Sequence, residues 1–276
     1  MTVSALPYLG GKKTHVGKWI SQTIGPTEKD ELWCDFFFGM GGITLQRTPV
    51  GLEWANDADQ AIADWFRVVQ HPLLKDDLKE LLEYSPKSCR ALFIDARQIL
   101  QNDPQYVWTW LAEKDSIVER AWATTYCLLK SLSGNIEQNM SWAVKLDPAA
   151  SLSWIDLSMI DKIYERTKTI QFDCRDALVL LDRTKNKEKT HIYIDPPYPG
   201  TTGYRMTVDQ NDLDTLLLAQ KGRVAVSGYA NDRPRLEKEG WRVEYFNRST
   251  TFASQGKATK QREALWMNYD PPHRLF

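Results

Sequence analysis

The stretch Asp195-Pro196-Pro197-Tyr198 constrains this chain more than any other. It follows a short apolar run, Ile192-Tyr193-Ile194, whose continuous hydrophobicity reads as a buried strand of a parallel sheet. Two consecutive prolines stop that strand, because neither can donate a ladder hydrogen bond. The residues after them, Pro199-Gly200-Thr201-Thr202-Gly203, are loop chemistry throughout. An acid, a carbonyl and an aromatic ring are therefore presented together at the C-terminal end of a strand, the edge where open α/β sheets bind ligands.

A carboxylate and a peptide carbonyl are both pure acceptors, suited to gripping the two hydrogens of an amino group. An aryl amine held this way has its lone pair kept out of the ring and aimed at an electrophile. Tyr198 adds a flat face for a planar base. Asp195, Pro196, Pro197 and Tyr198 form the candidate catalytic set, and the chemistry they suit is alkylation of an exocyclic nucleobase amine. If the ring alone matters, phenylalanine in place of Tyr198 costs little.

Upstream, Pro7-Tyr8-Leu9-Gly10-Gly11-Lys12 precedes a helical stretch over 14–24, with two glycines that let backbone approach a ligand and a cation beside them. A strand over 32–38 then runs into Gly39-Met40-Gly41-Gly42, which opens a helix through Leu45. Strand, glycine turn and helix make a nucleotide-binding crossover. Asp35 sits just before the turn, placed to accept from a ligand's ammonium group. A second strand over 50–55 ends in Asn56-Asp57-Ala58-Asp59, where an acid reads ribose hydroxyls in such sheets. Asp57 is the first candidate and Asp59 the second; the alternative is a helix N-cap.

From 60 to 167 the pattern turns helical, with Ile62, Trp65, Phe66 and Val69 at helical spacing and similar stretches at 76–84, 105–112 and 116–132. So long a block is an insertion and not a connection. It carries a polar helix exit at Ser131-Leu132-Ser133-Gly134-Asn135 and a loop-set Trp142. Strands resume over 169–177, where Asp176 either contacts a base or caps a helix starting at Leu178. A helix over 213–219 and strands over 223–229, 242–246 and 264–269 complete the chain, the last preceded by a basic loop with Lys257, Lys260 and Arg262.

Bulk properties narrow the class. With 42% hydrophobic and 26% charged residues the chain reads as an ordinary soluble globule, and no run is long enough for a membrane span. The four cysteines, Cys34, Cys89, Cys127 and Cys174, lack metal or redox spacing and fit a reduced, cytoplasmic protein without a metal. A net charge of −1 argues against tight nonspecific nucleic-acid binding and leaves room for a local basic patch.

The order Gly-Gly-Lys, Asp-x-Phe-x-Gly-x-Gly, Asn-Asp, helical insert, Asp-Pro-Pro-Tyr resembles the Dam-type DNA adenine methyltransferases, with the phage and prophage single-chain forms nearest. The likeness continues through Tyr204-Arg205-Met206-Thr207, Val226-Ser227-Gly228-Tyr229, Gly240-Trp241 and Glu263-Ala264-Leu265-Trp266-Met267-Asn268. It implies a Rossmann-like α/β methyltransferase sheet formed by residues 1–59 and 168–276, with 60–167 as a helical target-recognition insert. It also implies S-adenosylmethionine as cofactor and double-stranded DNA as partner, for a monomer or weak dimer. Tyr8, Gly10, Gly11 and Lys12 would line the cofactor side; Asp35, Phe37, Gly39 and Gly41 would hold the methionine part; Asp57 would bind ribose and Asp176 adenine. Phe36 replaces a common proline and Met40 a small residue, which implies a cofactor turn of altered shape. Cytosine-amine methylation, RNA adenine, and an idle DNA-binding module on the same fold are the alternatives.

Overall fold

A computed structural model describes residues 6, 15–101, 114–131, 156–199, 206–246 and 262–271. The order of elements is α1 (His15–Ile24), β1 (Leu32–Asp35), β2 (Leu52–Asn56), then a helical block of α2 (Gln60–Gln70), α3 (Leu74–Tyr84), α4 (Arg90–Gln101), α5 (Lys114–Lys130) and α6 (Ser158–Thr167). It continues with β3 (Gln171–Asp173), α7 (Ala177–Thr184), β4 (Thr190–Ile194), α8 (Gln210–Leu218), β5 (Arg223–Tyr229), α9 (Pro234–Lys238), β6 (Arg242–Phe246) and β7 (Glu263–Met267). The helical stretch expected over 105–112, Trp142 and the polar exit beyond Ser131 lie outside the described residues, as do Tyr8, Gly10, Gly11 and Lys12, Tyr204-Arg205, Lys257 and Lys260.

Seven strands form one sheet in the order β3-β2-β1-β4-β5-β7-β6. The pairs from β3 to β5 are parallel, and β7 runs antiparallel between β5 and β6. This is the Rossmann-like arrangement the sequence implies. Every residue of β4 is buried, as a parallel strand flanked on both edges and covered on both faces must be.

Alternating side chains feed two faces. Cys34, Ile192, Ile194, Val224, Val226 and Trp266 pack with Leu180, Leu181, Leu213, Leu217 and Leu236 of α7, α8 and α9. Trp33, Tyr193, Ala225, Leu265 and Met267 face the other way, onto Ile20 and Ile24 of α1. The helical block shares its core with the sheet: Phe38, Met40, Leu45 and Ala55 join Ile62, Trp65, Phe66 and Tyr126 in one cluster. Met40 and Phe36, the two departures noted above, are both core residues, so their bulk fills packing space beneath the turn.

The helix expected through Leu45 is a single 3₁₀ turn, Thr44–Gln46. Gly39 and Gly41 adopt φ of 50° and 72°, and a Cβ on Gly41 would stand 2.7 Å from the Leu45 side chain. The turn is thus too tight and too left-handed to run straight into an α-helix.

Asn56, fully buried at the end of β2, ties three strand ends together. Its Nδ2 donates to the carbonyls of Phe36 (3.1 Å) and Arg175 (3.0 Å), and its Oδ1 accepts from the Arg175 amide (2.9 Å). Replacing it with alanine strands those backbone groups in a dry site. We expect Asn56→Ala to lower stability by about 1–3 kcal/mol, read as a lower urea midpoint at unchanged slope.

Candidate active site

The strand order reverses between β1 and β4, and their C-terminal ends open a crevice at the switch. Asp35 pairs in register with Tyr193, so Asp195 follows two residues beyond it on the neighbouring strand. Two of the acids singled out by the sequence thus flank the crevice, and Asp57, past the end of β2, stands on its far side from β4.

Asp35 is 2% exposed. Its Oδ2 accepts a 2.6 Å hydrogen bond from the Thr44 hydroxyl, which in turn accepts 2.9 Å from the Trp33 indole N–H. Its Oδ1 is buried without a hydrogen-bond partner. Burial pushes this carboxyl up to about 7, opposed by the Thr44 bond, reinforced by the charges of Asp195 and Asp57, and opposed more weakly by the Phe37 amide.

Asp57 buckles the glycine turn to β2. Its Oδ2 accepts from the Gly39 amide at 2.7 Å and its Oδ1 from the Asp59 amide at 2.9 Å. Each oxygen retains a second lone pair able to accept from a further donor. Burial, then the charge of Asp59, moves the carboxyl up to about 7, while the two amide bonds favour the anion. Asp59 is the N-cap of α2, accepting from the Ala61 amide at 3.0 Å. Asp176 is the exposed N-cap of α7, accepting from Leu178 at 2.9 Å, at the foot of a β3 end where Trp54 Nε1 donates to Asp173 at 2.8 Å. Phe37 is half-buried and packs on the α7–α9 face.

The tetrad after β4 is held from several directions. Asp195 Oδ1 accepts from the Ser227 hydroxyl at 2.6 Å and from the Tyr198 hydroxyl at 3.0 Å. The Tyr198 hydroxyl also contacts Glu263 Oε1 at 2.6 Å, and its ring meets Tyr229 edge-on with centroids 4.7 Å apart. Tyr193 lies within 3.1 Å of the Ser227 hydroxyl from beneath. The Pro197 carbonyl accepts from Gln210 Nε2 at 3.1 Å, and Gln210 is gripped by the buried Arg233, which pairs with Asp214. The prolines that end the strand are thus fastened to the start of α8.

Ser227, Glu263, Thr44, Gln210 and Arg233 were not singled out as site residues from the sequence. Their signal was weak: isolated polar residues at strand ends become informative only when the sheet order places β5 and β7 beside β4. Burial pushes the Cys127 and Cys174 thiols up to about 12, away from the thiolate form. Among the described residues no cluster of His, Cys, Asp or Glu could hold a metal ion, and no helix is long and apolar enough to cross a membrane.

A family model described as D12 class N6 adenine-specific DNA methyltransferase matches residues 8–217, from before α1 to within α8. No curated protein gives a significant match to the chain.

The raised Asp35 carboxyl gives a pH prediction. Its folded-state value lies above the ordinary carboxylate value of 3.8, so between there and about 7 the folded chain holds more protons than the unfolded one. Stability from this group is full below that window and declines as pH rises through it. Asp35→Asn should flatten the decline in urea unfolding, with a residual slope from Asp57.

The Tyr198 hydroxyl, whose single proton lies between the Asp195 and Glu263 carboxylates, is a tie that a role for the ring alone does not use. Tyr198→Phe keeps the face and cuts the tie. We expect it to lower turnover by about tenfold or more, the equivalent of one hydrogen bond to a charged group. Unchanged turnover in a steady-state methylation assay would return the role to the ring.

Proposed function

Since the chain belongs to the D12 class N6 adenine-specific DNA methyltransferases, we propose that it transfers a methyl group from S-adenosylmethionine to the exocyclic amine of adenine in double-stranded DNA, with the target base swung out of the helix. The observation that carries the cofactor part is the buried, unpartnered Oδ1 of Asp35 at the switch crevice. A desolvated carboxylate oxygen is costly unless a ligand donates to it, and the ammonium of S-adenosylmethionine is such a donor. Asp35 would take that ammonium, the Gly39 to Gly41 turn would leave room for the methionine chain, Asp57 would face the ribose and Asp176 the adenine.

When bound, the cofactor supplies a methyl group already activated on a positively charged sulfur. What remains for the chain is orientation of the attacking amine. Asp195 accepts one amine hydrogen and the Pro196 carbonyl the other, so the lone pair points along the line of attack. With Ser227 and Tyr198 both on its Oδ1, the carboxylate is fixed in rotation. After transfer the methylated nitrogen sheds one proton to water, with Asp195 as the first acceptor. The Tyr198 ring packs against the extruded base, whose unstacking costs a few kcal/mol or about that. Target reading belongs to residues 60–167, whose core is continuous with the turn beneath the crevice.

Asp195→Ala should reduce methyl transfer by about a hundredfold or more while calorimetry shows cofactor affinity largely kept. The product nucleoside, identified by mass spectrometry, should be N6-methyladenine. Substantial activity in the variant, or methylcytosine as product, would contradict the assignment.

A further inference from the structure

We infer that Thr44 and Arg166 are positioning residues for the cofactor's ammonium group, acting through Asp35, and that Arg166 makes the helical block a structural part of the cofactor site. The inference rests on the proposed use of Asp35 and extends it to residues that do not themselves touch the ligand.

The geometry forms a continuous buried chain. Thr44 has one hydroxyl proton, and it has two neighbours. The Trp33 indole N–H can only donate, so it uses the Thr44 oxygen as acceptor at 2.9 Å. That leaves the hydroxyl proton for Asp35 Oδ2 at 2.6 Å. The direction of the bond is therefore fixed by donor chemistry: Trp33 to Thr44 to Asp35. One carboxylate oxygen is occupied and the other, Oδ1, is left buried and open. A threonine hydroxyl aimed this way favours the ionised carboxylate, which is the form an ammonium needs.

Thr44 sits on a single 3₁₀ turn, a short element with little rigidity of its own. Its backbone is held from outside. Arg166 Nη2 donates to the Thr44 carbonyl at 2.9 Å, 122 residues further along the chain. The same guanidinium forms a two-point pair with Glu53 of β2, Nη1 to Oε2 at 2.6 Å and Nη2 to Oε1 at 2.8 Å. Both side chains are under one-tenth exposed. Arg166 lies in α6, the last helix of the block, so the block and strand β2 together clamp the residue that aims Asp35. A planar fork of donors suits this task; a lysine at 166 could not hold Glu53 at two points and the carbonyl as well.

The test is calorimetric binding to the full chain without DNA, using two ligands. S-adenosylhomocysteine carries the amino-acid part; 5′-methylthioadenosine shares its adenosine and thioether and lacks the ammonium. Thr44→Val should weaken S-adenosylhomocysteine by about tenfold or more and leave methylthioadenosine unchanged, and Thr44→Ser should restore the difference. Arg166→Met combined with Glu53→Leu removes both charges of the clamp, and should give the same selective loss, severalfold in size. Equal weakening of both ligands would mean general collapse of the pocket and overturn the inference. So would unchanged homocysteine-ligand binding in Thr44→Val, or failure of Thr44→Ser to restore it. If the wild-type chain itself binds neither ligand, the proposed cofactor site fails, and the inference with it. If the charge-free clamp variant does not fold, the Thr44 pair still decides the Asp35 part, and Arg166→Lys, which keeps the charge and loses the fork, decides the clamp by the same ligand difference.

Discussion

Strands β1 and β4 are hydrogen-bonded neighbours although β2, the whole helical block and β3 lie between them in sequence. From that pairing the rest of the site follows. Because the chain leaves β1 toward one edge of the sheet and β4 toward the other, no connection crosses above their C-terminal ends. Asp35 and Asp195 are therefore set side by side at the mouth of a crevice, one facing the cofactor and one the target amine in the proposed reaction. The register sets their spacing, and the fully buried β4 sets the register.

Bringing acids together in a dry place has a cost, and the fold distributes it. Asp57 is anchored by two backbone amides, Asp195 by the Ser227 hydroxyl with that of Tyr198 beside it, and Asp35 by the Thr44 hydroxyl with the Phe37 amide nearby. Asp35 is the most deeply buried of the three by surface area. A cationic group entering beside it relieves both the desolvation and the like-charge repulsion at once. The free site thus gathers buried carboxylates at one crevice, a state that the proposed ligand ammonium would relieve.

Much of this was legible in the sequence, for identifiable reasons. Proline pairs, glycine clusters and apolar runs act locally, so the tetrad at 195–198, the turn at 39–42 and the strands at 223–229 and 242–246 could be placed from a few residues each. Asp59 and Asp176 illustrate where local reading divides: an acid at a strand end is both a cap and a ligand contact by pattern, and the folded chain uses both residues as caps. The residues that escaped notice act over long range. Glu263 meets Tyr198 because β7 inserts antiparallel beside β5, and Arg166 meets Thr44 because α6 packs back over the turn. No periodicity encodes those meetings; they are products of topology. The short 3₁₀ turn in place of a helix at Leu45 has the same origin, since the positive φ of Gly39 and Gly41 answers to the crevice and not to helix propensity.

The claim on which the account stands is that the ammonium of the cofactor occupies the open side of Asp35 at the β1/β4 switch. A crystal structure of the chain with S-adenosylhomocysteine tests it most directly. The account requires the ligand nitrogen within hydrogen-bond distance of Asp35 Oδ1, with the Thr44 hydroxyl still on Oδ2 and the thioether sulfur turned toward Asp195. A ligand seated elsewhere, or one whose ammonium is held by other groups while Asp35 Oδ1 stays unpartnered, would contradict it.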